Sequence, residues 1–294
     1  MKKSIVIFLI IFAAAGAFAE PKIDISGTVE WDTMRLNAQV SLDLASAGIK
    51  LPTGRTQAES LLNTGFLNLI QPSILELRVD SSTTIGDLLK NGEINQTALS
   101  AIAQRANSVA PSMQSDMKKM QASHSISLAD ISSSFISHSR PAAVTRTLNP
   151  VSTAQYTGII IIATERLPVH GSRNTALAVP CLFPKIWDSE MNLIYDRNML
   201  EIRNTTMVKY SVLQNIFQNN PSGLSPELRE VAGDRPLRIF ARGVFGINPT
   251  DIIIDRSDAM LIISSEENRR LLSQGRVVII LDESVLKHNL TANN

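Results

Sequence analysis

Residues 34 to 44 read Met34-Arg35-Leu36-Asn37-Ala38-Gln39-Val40-Ser41-Leu42-Asp43-Leu44. Apolar and polar side chains alternate along the whole stretch. Successive side chains of a strand point to opposite faces, so the run predicts a strand with one buried and one wet face. The preceding stretch, Ile23 to Trp31 with Gly27 inside it, predicts another strand. Downstream, Pro52 and Thr53 open a helix whose Ala58, Leu61, Leu62, Gly65, Phe66, Leu69 and Ile70 recur at i, i+3, i+4 spacing. Thr56 and Glu59 have capping-box spacing, and Pro72 is expected to kink or end the helix.

Leu75 to Asp80 reads as extended. Thr84 and Asp87 have N-cap spacing for a short helix ending near Gly92. A further helix is predicted from about Glu93 to Val109, with Ala98, Ala101, Ile102, Ala106 and Val109 on one face and Pro111 closing it. Ser125 to Ile136 reads as a strand whose phase slips between Leu128 and Ile131, which a bulge near Asp130 would explain. Arg140 to Gln155, with Pro141 and Pro150, is the linker candidate.

The second half has a different texture. Ile159-Ile160-Ile161-Ile162-Ala163 is a continuous apolar run, suited to a strand buried on both faces. Leu177 to Phe183 and Lys185 to Trp187 read as extended, and Asp188 to Asn192 as a hairpin turn before Leu193-Ile194-Tyr195. Ser211 to Gln218 predicts a short helix. Leu237 to Phe245 alternates, Ile252 to Ile254 is a short strand, and Val277 to Leu281 closes the fold. Ser257 can cap a helical turn from Asp258 to Ile263. Ser265 can cap another from Glu266 to Gln274, stopped by Gly275. The expected class is α+β: two α/β modules with mixed, largely antiparallel sheets, after a cleavable signal peptide. The divisions are a signal peptide at 1–19, an N-terminal module at 20–140, a linker at 141–155, a C-terminal module at 156–285 and a frayed tail at 286–294.

The address is carried by the first residues. Lys2 and Lys3 precede an apolar run from Ile5 to Phe12, and Ala17-Phe18-Ala19 matches the A-x-A cleavage pattern, so cutting after Ala19 is expected. The apolar run is shorter than the roughly 20 residues of a membrane span, and no transmembrane span is expected in the mature chain. Removing Lys2 and Lys3 turns the formal charge from +1 to −1. That balance argues against electrostatic attraction to nucleic acid. The localisation expected is periplasmic or outer-membrane associated.

The chain of 294 residues holds four His and one Cys. A zinc site needs three or four such ligands close together, and His124, His138, His170 and His288 are widely spaced. No metal, cofactor or catalytic residue is assigned, and the chain is not expected to be an enzyme. His124 and His138 read as surface strand residues, and Cys181, in an apolar run, as a small core residue. Asp251, Asp255 and Asp258 read as turn and cap acids, lacking the Gly and terminal Glu of a calcium loop. Glu266 and Glu267 suit a first helical turn, and Arg269 and Arg270 a last one. Asn204-Thr205-Thr206 fits a glycosylation acceptor, a match that arises often by chance. The loop at 165–174, after the Ile-rich strand, is the candidate ligand site. It carries His170 and Ser172, the pair that a hydrolase reading would use.

A resemblance adds to this reading. Thr56-Gln57-Ala58-Glu59-Ser60-Leu61-Leu62, Asn68-Leu69-Ile70 and Leu77-Arg78-Val79-Asp80-Ser81-Ser82-Thr83-Thr84-Ile85-Gly86-Asp87-Leu88-Leu89 resemble the superfamily of the small bacterial outer-membrane lipoprotein and the N-terminal domain of flagellar assembly protein T. The second half is similar to the companion region of related exported proteins. Tyr156-Thr157-Gly158-Ile159-Ile160, Pro184-Lys185-Ile186-Trp187-Asp188, Thr250-Asp251-Ile252-Ile253-Ile254, Ser257-Asp258-Ala259 and Arg276 to Asp282 carry that similarity. The resemblance implies a non-catalytic envelope protein with a structural or assembly role. Other envelope or flagellar basal-body proteins are the partners implied. The chain lacks a lipobox Cys, and its 165–174 segment departs from the usual Asp-Ala-Arg-Gly loop. Self-association through a strand edge is a further partner mode that needs no special residues.

Overall fold

The computed structural model describes residues 21–136, 138–201 and 206–290. The segment read as a signal peptide, Asn204 and Thr205 of the glycosylation triplet and residues 291–294 lie outside them. The first domain opens with β1 (Ile23–Glu30) and β2 (Arg35–Asp43), an antiparallel pair in which Thr28 faces Asn37 and Ile25 faces Val40. Leu36, Ala38, Val40 and Leu42 of β2 are buried, as the alternation requires. Four helices follow: α1 (Arg55–Leu69), α2 (Gln71–Leu75), α3 (Ile85–Lys90) and α4 (Gln96–Gln104). The short β3 (Asn107–Ser108) and β4 (Ser112–Met113) both pair with β5 (Lys119–Ser127), which leads into α5 (Leu128–Ser133). Ala58, Leu62 and Phe66 of α1 join the buried side chains of β2 in one core.

Several local expectations are corrected here. The strand read over Ser125 to Ile136 ends at Ser127, whose hydroxyl accepts from the Asp130 backbone N–H and caps α5. The phase slip is therefore a change of period from two to 3.6, with Leu128 and Ile131 one helical turn apart on the buried side. The box read at Thr56 and Glu59 does not form, because Gly54 is the N-cap, and Glu59 instead pairs with Arg55 at 2.9 Å. By contrast, Thr84 and Asp87 do close a reciprocal capping box on α3. The helix expected over Glu93 to Val109 is confined to α4, since Asn95 caps it and Asn107–Ser108 pairs as β3. Leu75, read as extended, ends α2.

The second domain contains β6 (Ile159–Ala163), β7 (Leu167–Pro168), β8 (Thr175–Ala176), β9 (Ile186–Asp188), β10 (Leu193–Tyr195) and β11 (Lys209–Ser211). Then come α6 (Pro226–Ala232), β12 (Leu237–Phe245), β13 (Asp251–Ile254), α7 (Arg256–Ile263), α8 (Glu266–Ser273) and β14 (Val277–Leu281). The sheet order is β10-β9-β13-β12-β6-β14-β11. It is mixed: β12, β6, β14 and β11 run parallel, while β12 with β13 and β9 with β10 are antiparallel. Ile160, Val278 and Ile280 pack with Leu228 and Ala232 of α6 on one face. Ile161 and Ile279 join the cluster holding Ile262 and Leu272 of α7 and α8 on the other. Ser265 caps α8 as read, and Gly275 follows it at φ +65°. The cap of α7 is Asp255, not Ser257, whose own N–H and hydroxyl donate to the Asp255 carboxylate.

Between α5 and β6 the described residues form no helix or strand. Ala142, Val151 and Thr153 are tied by hydrogen bonds to Asn198, Ser264 and Leu261 of the second domain. The tail expected to fray does not do so over 287–289. After α9 (Glu283–Leu286), β15 (Lys287–Asn289) pairs antiparallel with β1 and completes the first domain's sheet in the order β15-β1-β2-β5-β3. One apolar cluster runs from Val29 in β1 to Leu286 in α9.

Candidate functional site

The side chains singled out by sequence go to separate places. Cys181 is fully buried, and burial pushes its thiol up to about 12, away from thiolate chemistry. His124, expected on the surface, is 6% exposed and stacks on Phe66 with centroids 3.9 Å apart. Burial lowers its pKa, which keeps the ring neutral. His138 Nε2 lies 2.8 Å from the Leu200 carbonyl. In the 165–174 loop, which β7 and β8 partly close as a hairpin, the Ser172 hydroxyl accepts from the Asn174 N–H at 3.1 Å. His170 meets Phe245 edge-on, with centroids 5.9 Å apart. No hydrogen bond joins His170 to Ser172 among the described residues. Those residues also contain no group of three or more His, Cys, Asp or Glu able to hold a metal, and no helix long and apolar enough to cross a membrane.

The three aspartates part company. Asp255 caps α7, and hydrogen bonds from Ser257 hold its carboxyl below the usual range. Asp258 sits in the first turn of the same helix. Asp251 is no turn acid: it is 1% exposed and lies at the junction of the two domains. Its Oδ2 accepts from Trp187 Nε1 at 3.1 Å and from the Ser81 hydroxyl of the first domain at 3.2 Å, while Oδ1 accepts from the Lys185 N–H at 3.2 Å. Burial nevertheless raises its pKa.

The junction around it is backbone-built. The N–H groups of Leu182 and Phe183 donate to the carbonyls of Arg78 and Val79 at 3.0 and 2.9 Å, and Asn248 N–H donates to the Ser81 carbonyl at 2.9 Å. Asp80 fixes the first-domain loop. Burial opposes ionisation there, but hydrogen bonds from Ser82 and Thr83 hold the carboxyl below its usual range. Gly246, at φ +111°, lets the second domain approach, since a Cβ there would stand 2.3 Å from Ser81 Cβ. Sequence reading missed this site because its members are 170 positions apart, as Ser81 and Asp251 are.

Concave surface lies mainly on the first domain. The outer face of its sheet forms an open groove of about 640 Å³. Its polar lining includes Ser26, Thr28, Asn37, Gln39, Ser123 and Ser125, with Arg35 as its charge. Ser125 donates to Asn37 Oδ1 at 2.8 Å. A more enclosed cavity of about 500 Å³ sits where β15, Trp31 and the segment around Arg78 meet. Neither is lined by residues 165–174.

Comparison with known proteins follows the same division. No curated protein matches the chain. Residues 22–134 match the family model described as the N-terminal domain of Treponema pallidum Tp0624, and residues 158–283 match the model of that protein's second domain. These limits fall at the end of α5 and the start of β6, so the chain is similar, domain by domain and in order, to the first two domains of that protein.

Proposed function

We propose that the chain is an exported, non-catalytic envelope protein with a structural or assembly role, at the flagellar basal body or the outer membrane. The observation that supports this reading most is the junction. Asp251, the most chemically suggestive acid of the second domain, is spent on Ser81, Trp187 and Lys185, holding the two domains together. Cys181 and Asp188 are likewise committed to the interior, Asp188 by bonds from Asn192, Glu190 and Arg256. The resemblance to the flagellar assembly protein T superfamily supports the envelope setting, and the Ala17-Phe18-Ala19 pattern supports export. Deletion of the gene is expected to impair motility or envelope integrity. Normal motility together with the lack of any basal-body partner in a cross-linked pull-down would remove the flagellar part. Amino-terminal sequencing of the exported protein is expected to start at Glu20.

A second reading, a ligand-binding module, is favoured by the open groove rather than by the 165–174 loop. Its hydroxyl and amide lining suits a neutral, hydrogen-bonding ligand. Saturable binding of a soluble glycan fragment, lost in Asn37→Leu, would favour that reading over the scaffold.

A further inference from the structure

The first domain's sheet ends on two different edges. On one side β3 and β4 share the outer lane beside β5, and their register against it slips by one residue between Ser108 and Ser112, where Ala110 and Pro111 lie. A bulge and a proline are common means of blunting an edge. On the other side β1 has no such guard. β15 pairs only with Thr28, Val29 and Glu30, and the bonds at its ends join the Leu290 N–H to the Gly27 carbonyl and the Trp31 N–H to the Leu286 carbonyl. The odd-numbered residues of β1 thus turn their N–H and C=O groups toward the β15 side. The bond from the Asp43 N–H to the Lys22 carbonyl shows the even-numbered ones turned toward β2. Ile23 and Ile25 therefore present backbone donors and acceptors along an edge that pairs with no strand among the described residues. Their side chains are half-buried on the inner face, where Ile23 lies against Gly65 of α1, while Lys22, Asp24 and Ser26 are exposed.

We infer that this open half of β1 is a self-association edge, at which two copies of the chain pair antiparallel with Ile23 facing Ile23 of the second copy. A two-fold interface must be self-complementary, and this register is. With Ile23 on the axis, each Ile23 N–H donates to the other copy's Ile23 carbonyl, and each Ile25 N–H donates to the other copy's Pro21 carbonyl. On the wet face Lys22 stands opposite Asp24 of the second copy, on both sides of the axis. These are the closer, non-hydrogen-bonded pairs, where opposite charges stabilise and like charges repel. Asp24 keeps half of its side-chain surface for this although Lys119 stands 3.6 Å away. The neighbouring registers are worse. An axis at Asp24 sets two carboxylates face to face. An axis at Ile25 brings Ile23 against Gly27, whose carbonyl already accepts from Leu290. On the inner face the chosen register places Ile23 beside its copy and covers apolar surface that one chain leaves partly open. Backbone bonds supply the attraction, as in other strand additions, and the charge pairs fix the register.

Sedimentation equilibrium on the mature protein should show a monomer–dimer equilibrium. Asp24→Lys alone, or Lys22→Asp alone, should weaken it about tenfold by setting like charges opposite each other. The double variant Lys22→Asp with Asp24→Lys should restore it. An equal mixture of the two single variants should form a mixed dimer, a rescue that mere damage to the fold would not give. Ile25→Pro removes an outward N–H that makes no bond within the chain, so the variant should keep its circular dichroism spectrum and lose most of the association. A protein that stays monomeric, a dimer that ignores both charge variants, or one unchanged in a folded Ile25→Pro variant would overturn the inference. So would association that appears only after removal of residues 291–294, because the edge would then be closed in the whole chain.

Discussion

Strands β2 and β6 are both central to their sheets, and they solve burial in opposite ways. β2 buries Leu36, Ala38, Val40 and Leu42 on one face and leaves Arg35 and Gln39 in water on the other. β6 buries Ile159, Ile160 and Ile161 on both faces, under α6 on one side and α7 with α8 on the other. An antiparallel sheet can keep a wet face, whereas a parallel one is covered on both. The first domain therefore has a sheet face free for recognition, whereas in the second exposed strand residues such as Arg238, Phe240 and Arg242 lie on β12, next to the antiparallel β13.

This contrast can be broken or sharpened by measurement. Ile161→Ala in β6 should cost the most, about 4 kcal/mol, because a fully buried side chain leaves a cavity between packed layers. Urea unfolding gives the value, and a loss near 1 kcal/mol would mean that the layers collapse onto the gap. Asp251→Ala comes next at about 3 kcal/mol, since Trp187, Ser81 and Lys185 each lose an acceptor. Calorimetry on that variant tests how firmly the domains are coupled: one transition splitting into two would show Asp251 to be the main link between them. Ser127→Ala should cost about 1 kcal/mol by uncapping α5. Gln39→Ala, on the wet face of β2, should change stability by less than about 0.5 kcal/mol.

Acid titration adds a further kind of test. Burial opposes ionisation of Asp188, but bonds from Asn192, Glu190 and Arg256 hold its pKa below the usual carboxylate value. Its contribution is present above that usual value and is lost as pH falls through the lower folded one. Asp188→Asn should therefore flatten the acid limb of the stability curve. Asp251 has the opposite sign: its raised pKa means that protonation relieves a buried charge as pH falls. A steeper acid limb in Asp188→Asn would contradict this assignment.

Much of the fold is legible in the residues where one physical rule acts alone. The alternation of β2, the unbroken apolar run of β6, the Thr84–Asp87 capping box and the Ser265 cap all follow from short-range pattern. Reading fails where two rules meet within a few residues. At Ser125 to Ile136 a strand hands over to a helix, and the change of period imitates a bulge. Near Thr56 the capping spacing is present two residues too late, because Gly54 already starts the helix. The candidate sites were less legible. Ser81 carries no local motif, and its bond to Asp251 depends on a junction assembled by distant backbone bonds. The tail read as frayed over 286–294 includes the strand Lys287–Asn289, whose polar and charged residues are ordinary for an edge strand.

That last strand gives the molecule an order of assembly. Val29 and Glu30 of β1 find their partners in His288 and Lys287, residues synthesised more than 250 positions later. A chain made or translocated from its N-terminus must carry the β1 edge exposed through the whole production of the second domain. The first domain can collapse early, but the β1 edge of its sheet is sealed only once residues 287–289 have been made. Any product that stops before residue 287 keeps that β1 edge open to pairing with another chain.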